Sequence, residues 1–348
     1  MGAVSYIIRR SIVLFATVVV ATYLTIVIVN IGGYLDVITK AQIREEIAQM
    51  VKGNPTYRRL TPEEQEKIIE EMYELKIKEL GLDQPFLIRS IIYLKNGLLL
   101  DFGKAQYLTS DSGSKDVKLI ILERLPATVL LFTTLTIVNF IIHTAFGLYL
   151  SRRRGSLFDK IVVSLAPTSV IPGWLYGIVL ILIFASYLRI LPYGGIVDAP
   201  PPENPFAYAL SVLKHMILPM LSWIIAGFFM GIYGSRTFFL LFSSEDYVTM
   251  GKAKGISEKD LLYRYIFRPT LPPIITGLAL ELIGSWGGAI ITETVFSWPG
   301  LGRLTYEAIS AMDAPVIVAT TVIYAYLLAT TVLVLDALYS YLDPRIRV

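Results

Sequence analysis

Long apolar runs alternate with short charged stretches along most of this chain. Apolar residues dominate positions 11–29, 125–150, 161–188, 216–235, 271–295 and 315–339. An α-helix rises about 1.5 Å per residue, so helices of these lengths match a hydrocarbon core roughly 30 Å thick. The pattern therefore predicts an all-α integral membrane protein with six transmembrane helices. Arg9 and Arg10 precede the first run. That run is long for the apolar part of a signal peptide, and no small-residue cleavage site follows it, so it reads as an uncleaved span. Three regions result: residues 1–30 carry the N-terminus and first span, 31–124 form a long loop, and 125–348 form a five-helix core with a polar loop at 236–270.

Lys and Arg orient the spans. Arg9 and Arg10 precede span one, Arg152, Arg153, Arg154 and Lys160 lie between spans two and three, and Arg345 and Arg347 follow span six. Between spans four and five lie Arg236, Lys252, Lys254, Lys259, Arg264 and Arg268. With six spans all four groups fall on one side, which the positive-inside rule makes cytoplasmic, along with both termini. The opposite short loops carry only Arg189, Lys214 and Arg303.

The loop after span one has its own local signals. Thr61-Pro62-Glu63-Glu64 reads as a capping box with proline at the first helical position, and Gly81 as a stop. A helix over 62–80 is expected, with Ile69, Met72, Tyr73, Lys76 and Leu80 on one face. It is either a solvated decoration or a docking surface for an external partner. Gly173-x-x-x-Gly177, Gly227-x-x-x-Gly231 and Gly284-x-x-x-Gly288 sit within spans, where small residues four apart let helices approach closely.

The polar stretch 246–269 interrupts the apolar core. Ser243 or Ser244 is suited to cap a helix whose first turn holds Glu245 and Asp246 and whose last turn holds Lys252 and Lys254. Gly255 fits the left-handed position after it, and Ser257 the cap of a second helix, which Pro269 either ends or joins to span five. Tyr247, Met250, Gly251 and Lys254 recur at helical spacing, and Gly251, Ala253 and Gly255 would admit a close partner. Such a helix either lies on lipid or fits a groove on another protein.

Composition narrows the chemistry. The chain is 54% hydrophobic with mean hydropathy +0.60, above the ~45–50% apolar content of soluble domains. Its net charge of +3 gives no argument for nucleic acid. It contains no cysteine, which excludes disulfides, thiolate metal sites and a cysteine nucleophile. No Gly-x4-Gly-Lys-Ser/Thr phosphate loop is present, so ATP is not bound here in that way.

Tyr247-x5-Ala253-Lys254-Gly255-Ile256-Ser257 followed by Arg268 resembles the cytoplasmic loop of permease subunits in binding-protein-dependent ABC importers. Further motifs resemble the B-type permease of the dipeptide, oligopeptide and nickel group. They include Tyr6-Ile7-x-Arg9-Arg10, Leu80-Gly81-Leu82-Asp83-Gln84-Pro85, Asp101-Phe102-Gly103 and Leu125-Pro126-Ala127-Thr128. The most specific block is Glu293-Thr294-Val295-Phe296-Ser297-Trp298-Pro299-Gly300-Leu301-Gly302-Arg303-Leu304, and Asp336-x-x-Tyr339-x-x-Leu342-Asp343-Pro344-Arg345-Ile346-Arg347 closes the set. The chain departs from the general importer motif by holding Thr249-Met250-Gly251 where Glu-Ala-Ala is usual.

The resemblance implies the type I importer permease fold in a prokaryotic cell membrane. It implies a second homologous permease, two cytoplasmic ATPases that hold ATP and magnesium, an external solute-binding protein, and no cofactor on this chain. Carried over by position, Asp246, Tyr247, Met250, Gly251, Lys252, Ala253, Lys254, Gly255 and Ile256 form the ATPase-coupling element. Glu281, Glu293, Phe296, Trp298, Pro299 and Gly300 are the candidates for the external gate or pathway. The solute would be peptide-like or an oligosaccharide. Trp298-Pro299-Gly300-Leu301-Gly302 reads either as a structural corner or as part of that gate. A membrane-embedded hydrolase or lipid transferase is the alternative, with His143 and Glu281 as its ionisable groups at membrane depth.

Overall fold

Helices account for the regular elements in the computed structural model, which describes residues 3–30, 33–57, 60–286 and 288–342. In chain order these are α1 (Ala3–Asn30), α2 (Tyr34–Gly53), α3 (Pro62–Glu79), α4 (Phe86–Leu98), α5 (Val117–Ser151) and α6 (Leu157–Leu165). Then follow α7 (Gly173–Leu180), α8 (Pro205–Ser243), α9 (Asp246–Ala253), α10 (Glu258–Asp260) and α11 (Arg268–Ser285). The last three are α12 (Ile290–Val295), α13 (Leu301–Ser310) and α14 (Ala314–Leu342). A 3-10 turn, Ala166–Val170, follows α6, and π-helical segments Ile181–Tyr187 and Leu261–Phe267 follow α7 and α10. The Asp343–Arg347 end of the closing motif lies outside the described residues.

Ser5–Asn30, Val117–Ser151, Pro205–Ser243 and Ala314–Val334 are long and apolar enough to cross a membrane. A fifth candidate, Leu157–Val170 with Gly173–Tyr187, bends by 95°. The expected third span is thus broken, because Pro172 supplies no N–H and disfavours helical geometry at Ile171. The expected fifth span is broken too. α11 ends at Ser285 and α12 begins at Ile290, across Gly288 at φ 71° and an extended Ala289. Apolar content marked where the chain lies but not where its helices stop. α8 shows the converse, since it runs 39 residues where the apolar run covers 216–235. Asn204 caps its start through Phe206 N at 2.8 Å, and nothing in its polar ends breaks a helix.

Among the described residues two units divide the chain, one built from residues up to 122 with 307–329, the other from 123–306 with 330–342. In the first, α2 and α3 pair around buried Ile47, Val51 and Ile69. The capping box forms as expected, with Glu64 N bonding Thr61 Oγ1 and Thr61 N bonding Glu64 Oε2. The Thr61 N–H holds the Glu64 carboxyl below its ordinary range. Gly81 adopts φ 67° after α3. The buried face corrects the expected one: Ile77 is inside, whereas Lys76 and Leu80 are exposed, because α3 ends before Leu80 can turn inward. Arg89 of α4 forms a two-pronged pair with Asp36 of α2 and holds that carboxyl below the usual carboxylate range. Asp313 accepts the N–H groups of Tyr107 and Leu108 at 2.8 and 3.0 Å, fastening the loop before α5 to the start of α14.

In the second unit, α8 is the central post. Gly173 of α7 meets it closely, since a Cβ there would lie 3.3 Å from the Trp223 ring. Gly227 and Gly231 serve a different purpose from bare helix packing. A Cβ on Gly231 would collide with the His143 ring, so the glycine makes room for an imidazole from α5. Gly284 has open space around it and Gly288 lies past the end of α11, so that third glycine pair packs no two helices together.

Candidate functional site

Residues 246–256 fold into the short helix and glycine turn expected of them, with one change, at the cap. Ser243 and Ser244 do not cap α9. Their hydroxyls bond back to Leu240 O and Leu241 O at 2.9 and 2.8 Å, because α8 continues through Ser243. Glu245 is the N-cap residue instead. At the other end Gly255 takes φ 75° and donates to Lys252 O at 2.9 Å, closing the turn. Ser257 caps the next helix through Asp260 N at 3.2 Å. From there the chain stays helical through Pro269, which marks the entry to α11, the second of the two readings its position allowed.

The faces of α9 divide sharply. Val248 is fully buried in a cluster with Phe239 of α8, Leu148 of α5 and Leu261 and Ile266 of the π-helical segment. Gly251 joins this inner face, where a Cβ would lie 2.9 Å from Leu261 Cδ2. The glycine therefore lets α9 settle onto its own chain and is not the open contact point its spacing suggests. Tyr247 and Met250 point away, Met250 with 60% of its surface exposed, together with Asp246, Lys252, Ala253 and Lys254. Ile256 is half-buried under the turn. Desolvation, and then the charge of nearby Glu245, raise the Tyr247 phenol above its ordinary range.

Ion pairs brace this base, and none was evident from sequence. Asp159 of α6 takes both prongs of the Arg236 guanidinium from α8 and accepts Gly155 N at 2.8 Å. Arg152, at the end of α5, pairs with Glu258 of α10. These contacts join residues 77 and 106 positions apart, and no local pattern selects such partners. The helices that flank α9 are thereby tied to one another as well as to α9.

The glycine-rich block after α11 builds a second constellation. Glu293 of α12 is fully buried. Its carboxylate accepts Thr128 Oγ1 at 3.0 Å and Arg303 N at 2.9 Å. Thr128 Oγ1 in turn accepts Leu301 N at 2.7 Å, and Trp298 Nε1 donates to Ala127 O at 2.9 Å. Gly288, Gly300 and Gly302 surround the carboxylate so closely that a Cβ on Gly300 would collide with it. Two motifs far apart in sequence, Leu125-Pro126-Ala127-Thr128 and Glu293–Gly302, thus interlock. Phe296 and Trp298 are buried as well, and Pro299 is half-buried. Glu293, Phe296 and Trp298 are thus enclosed by protein within this chain.

Glu281 is exposed at a cavity of about 240 Å³ between α5, α8 and α11, which His143 also lines. The two ionisable groups considered at membrane depth are therefore neighbours around one space. Phe238 and Phe239 line it too; Phe239 belongs to the Val248 cluster and Phe238 packs on it.

Long apolar helices, a braced short helix with one outward face, and a buried carboxylate satisfied from within describe a multi-pass membrane protein. The chain belongs to the family of binding-protein-dependent transport system inner membrane components, whose model matches residues 143–348. It is 30% identical over 305 residues to the oligopeptide transport system permease protein AppB of Bacillus subtilis, covering 86% of this chain and 92% of that one. The dipeptide transport system permease protein DppB of Lactococcus lactis is 27% identical, over 82% of this chain and 89% of its own. The peptidoglycan transport system permease protein YejB of Agrobacterium fabrum is 28% identical, over 77% and 74%. The chain is thus a binding-protein-dependent ABC permease, as its motifs implied, and these relatives are named for peptide transport.

Proposed function

We propose that this chain forms half of a translocation pathway for a peptide-like solute, with a second homologous permease supplying the other half. An external binding protein delivers the solute, and two cytoplasmic ATPases bind ATP and magnesium and hydrolyse the nucleotide. Both termini lie in the cytoplasm of a prokaryotic cell, as the distribution of Lys and Arg favours. The relatives are named for oligopeptides, dipeptides and peptidoglycan, which supports a solute with peptide bonds and leaves room for one bearing an oligosaccharide.

The observation that carries the mechanism is the division of α9 into a buried anchor at Val248 and an exposed face at Tyr247 and Met250. Closure of the ATPase pair pushes on that face. Since Val248 packs on α5, α8 and the segment leading into α11, the push reaches the spanning helices as a displacement of a rigid foot. The Glu293 corner holds the broken fifth span in one shape, so it moves as a block when the external gate opens. Glu281, a carboxylate in an apolar helix, faces the pathway or the partner permease.

Purification of the complex in proteoliposomes tests this. The partner ATPases should co-purify, and ATP hydrolysis should rise with solute-loaded binding protein. Gly255→Pro, which cannot take a positive φ or donate the Lys252 bond, should reduce uptake at least tenfold while hydrolysis continues. Uptake and hydrolysis persisting at normal coupling would sink the rigid-foot mechanism. Absence of any ATPase partner would sink the importer.

A further inference from the structure

The loop between the first two spans contains a helix built inside out. On α4, Arg89 and Ser90 are buried, and Tyr93 and Asn96 are half-buried, so the polar side faces the protein. Leu87, Ile88, Ile91 and Ile92 face outward, Leu87 with 71% and Ile91 with 63% of their surface exposed. A helix in water shows the reverse arrangement, with its apolar stripe toward the core. An exposed apolar patch of this size marks a surface that something covers.

What α4 packs against identifies the cover. It lies along α1, a candidate membrane span. A Cβ on Gly97 would lie 3.3 Å from Thr22 Cγ2 of α1 and 3.9 Å from Val322 Cγ2 of α14. The Tyr326 hydroxyl donates to Leu98 O at 2.8 Å. Tyr326 is twelve residues into α14, roughly 18 Å from its start. Thr22 is eight residues before the end of α1, roughly 12 Å. The C-terminal end of α4 thus sits beside the interiors of two spans.

The end of α4 is also finished as a helix end in hydrocarbon must be. The last carbonyls of a helix normally rely on water. Here Lys95 O accepts Leu99 N at 3.0 Å, Asn96 O accepts Asp101 N at 2.9 Å, Gly97 O accepts Leu100 N at 3.0 Å, and Leu98 O takes the Tyr326 hydroxyl. All four are satisfied by the chain itself, which is the condition for irregular backbone at membrane depth. Leu100 accepts a left-handed φ of 57° in the turn that makes this possible.

We propose that α4 is a half-length membrane helix, dipping into the leaflet on the side where residues 31–124 emerge and presenting Leu87, Ile88, Ile91 and Ile92 to lipid acyl chains. Its 13 residues span about 20 Å, too short to cross, so the chain enters and leaves on the same side. The arrangement extends the lipid-facing surface of α1, where Leu24 and Ile28 are likewise exposed. It rests on the multi-pass membrane character of the chain and not on the solute or the coupling mechanism.

The absence of native cysteine makes the test direct. Leu87→Cys, Ile91→Cys and, as an aqueous control on α3, Glu74→Cys are each labelled with bimane in detergent and reconstituted as the whole complex. Bilayers containing acyl-chain-brominated lipid should quench bimane at 87 and 91 at least twofold, while aqueous iodide leaves it unchanged. The control should respond in the opposite sense. Iodide quenching at 87 and 91 would show a solvated helix and overturn the proposal. Insensitivity to both quenchers would show a protein cover and overturn it equally. Having two outward positions keeps the test decisive if one variant fails to fold, and solute-stimulated ATP hydrolysis reports whether the labelled complex is intact.

Discussion

The α9 foot and the Glu293 corner are both short helices joined to glycine turns, yet they use their residues in opposite ways. In the foot, the polar and flexible residues lie outside and one valine holds the inside. In the corner, the polar group is the fully buried centre and the glycines make space for it. Tyr247 and Met250 leave contacts unmade, which suits the docking role proposed for that face. A corner that only has to keep its shape satisfies every donor from within, as Thr128, Leu301, Trp298 and Arg303 do. The difference separates recognition from support more clearly than the motifs themselves, which look equally rich in glycine.

Substitutions sharpen that contrast, beginning with the corner. Glu293→Ala strands the Thr128 hydroxyl and the Arg303 N–H in a buried space. Each unsatisfied group costs about 1–3 kcal/mol, so a loss on the order of 3–5 kcal/mol is expected. It should appear as a large fall in the melting temperature of the purified complex. A wild-type melt would mean that the corner is not the support described.

Val248→Ala comes next. It removes the anchor of the foot and opens a cavity, with an expected loss of about 1–3 kcal/mol by analogy with other large-to-small core changes. Melting should fall together with ATPase coupling, because the foot no longer moves with the spans. Unchanged coupling despite a lowered melt would separate anchoring from force transfer.

Gly255→Ala tests the turn alone. Nothing crowds the site, so only the left-handed backbone opposes the methyl group, at about 1 kcal/mol. A modest drop in melting with partial coupling is expected, milder than Gly255→Pro on both readouts. Met250→Ala should have the smallest effect on stability, within about 0.5 kcal/mol for an exposed side chain. It should nonetheless weaken solute-stimulated hydrolysis severalfold. If Met250→Ala lowers melting as much as Val248→Ala does, the assignment of inner and outer faces is wrong.

Much of the foot was legible in the sequence. Its acidic start, its glycine stop and the Ser257 cap are local chemistry within a few residues, and local chemistry decides helix ends. Its true anchor was not legible. Tyr247, Met250, Gly251 and Lys254 share one helical spacing, while Val248 and Gly251 share another, and spacing alone does not say which face meets the protein. Gly251 belongs to both sets, and only the Leu261 side chain beneath it settles its side. The corner shows the same limit over a longer range. Glu293 and Thr128 are 165 residues apart, so their pairing is a property of packing and not of either motif.

By itself the sequence determined that this is a helical membrane protein with a polar, glycine-punctuated interruption, because burial of apolar runs in lipid and the capping of helix ends depend on neighbouring residues. Only the tertiary structure decided that the spans break at Pro172 and Gly288, that Glu293 is sealed inside a glycine cage, and that α4 turns its polar side inward. Each of these depends on what lies across from a residue in space, and a side chain's burial is set by its partners rather than by its place in the chain.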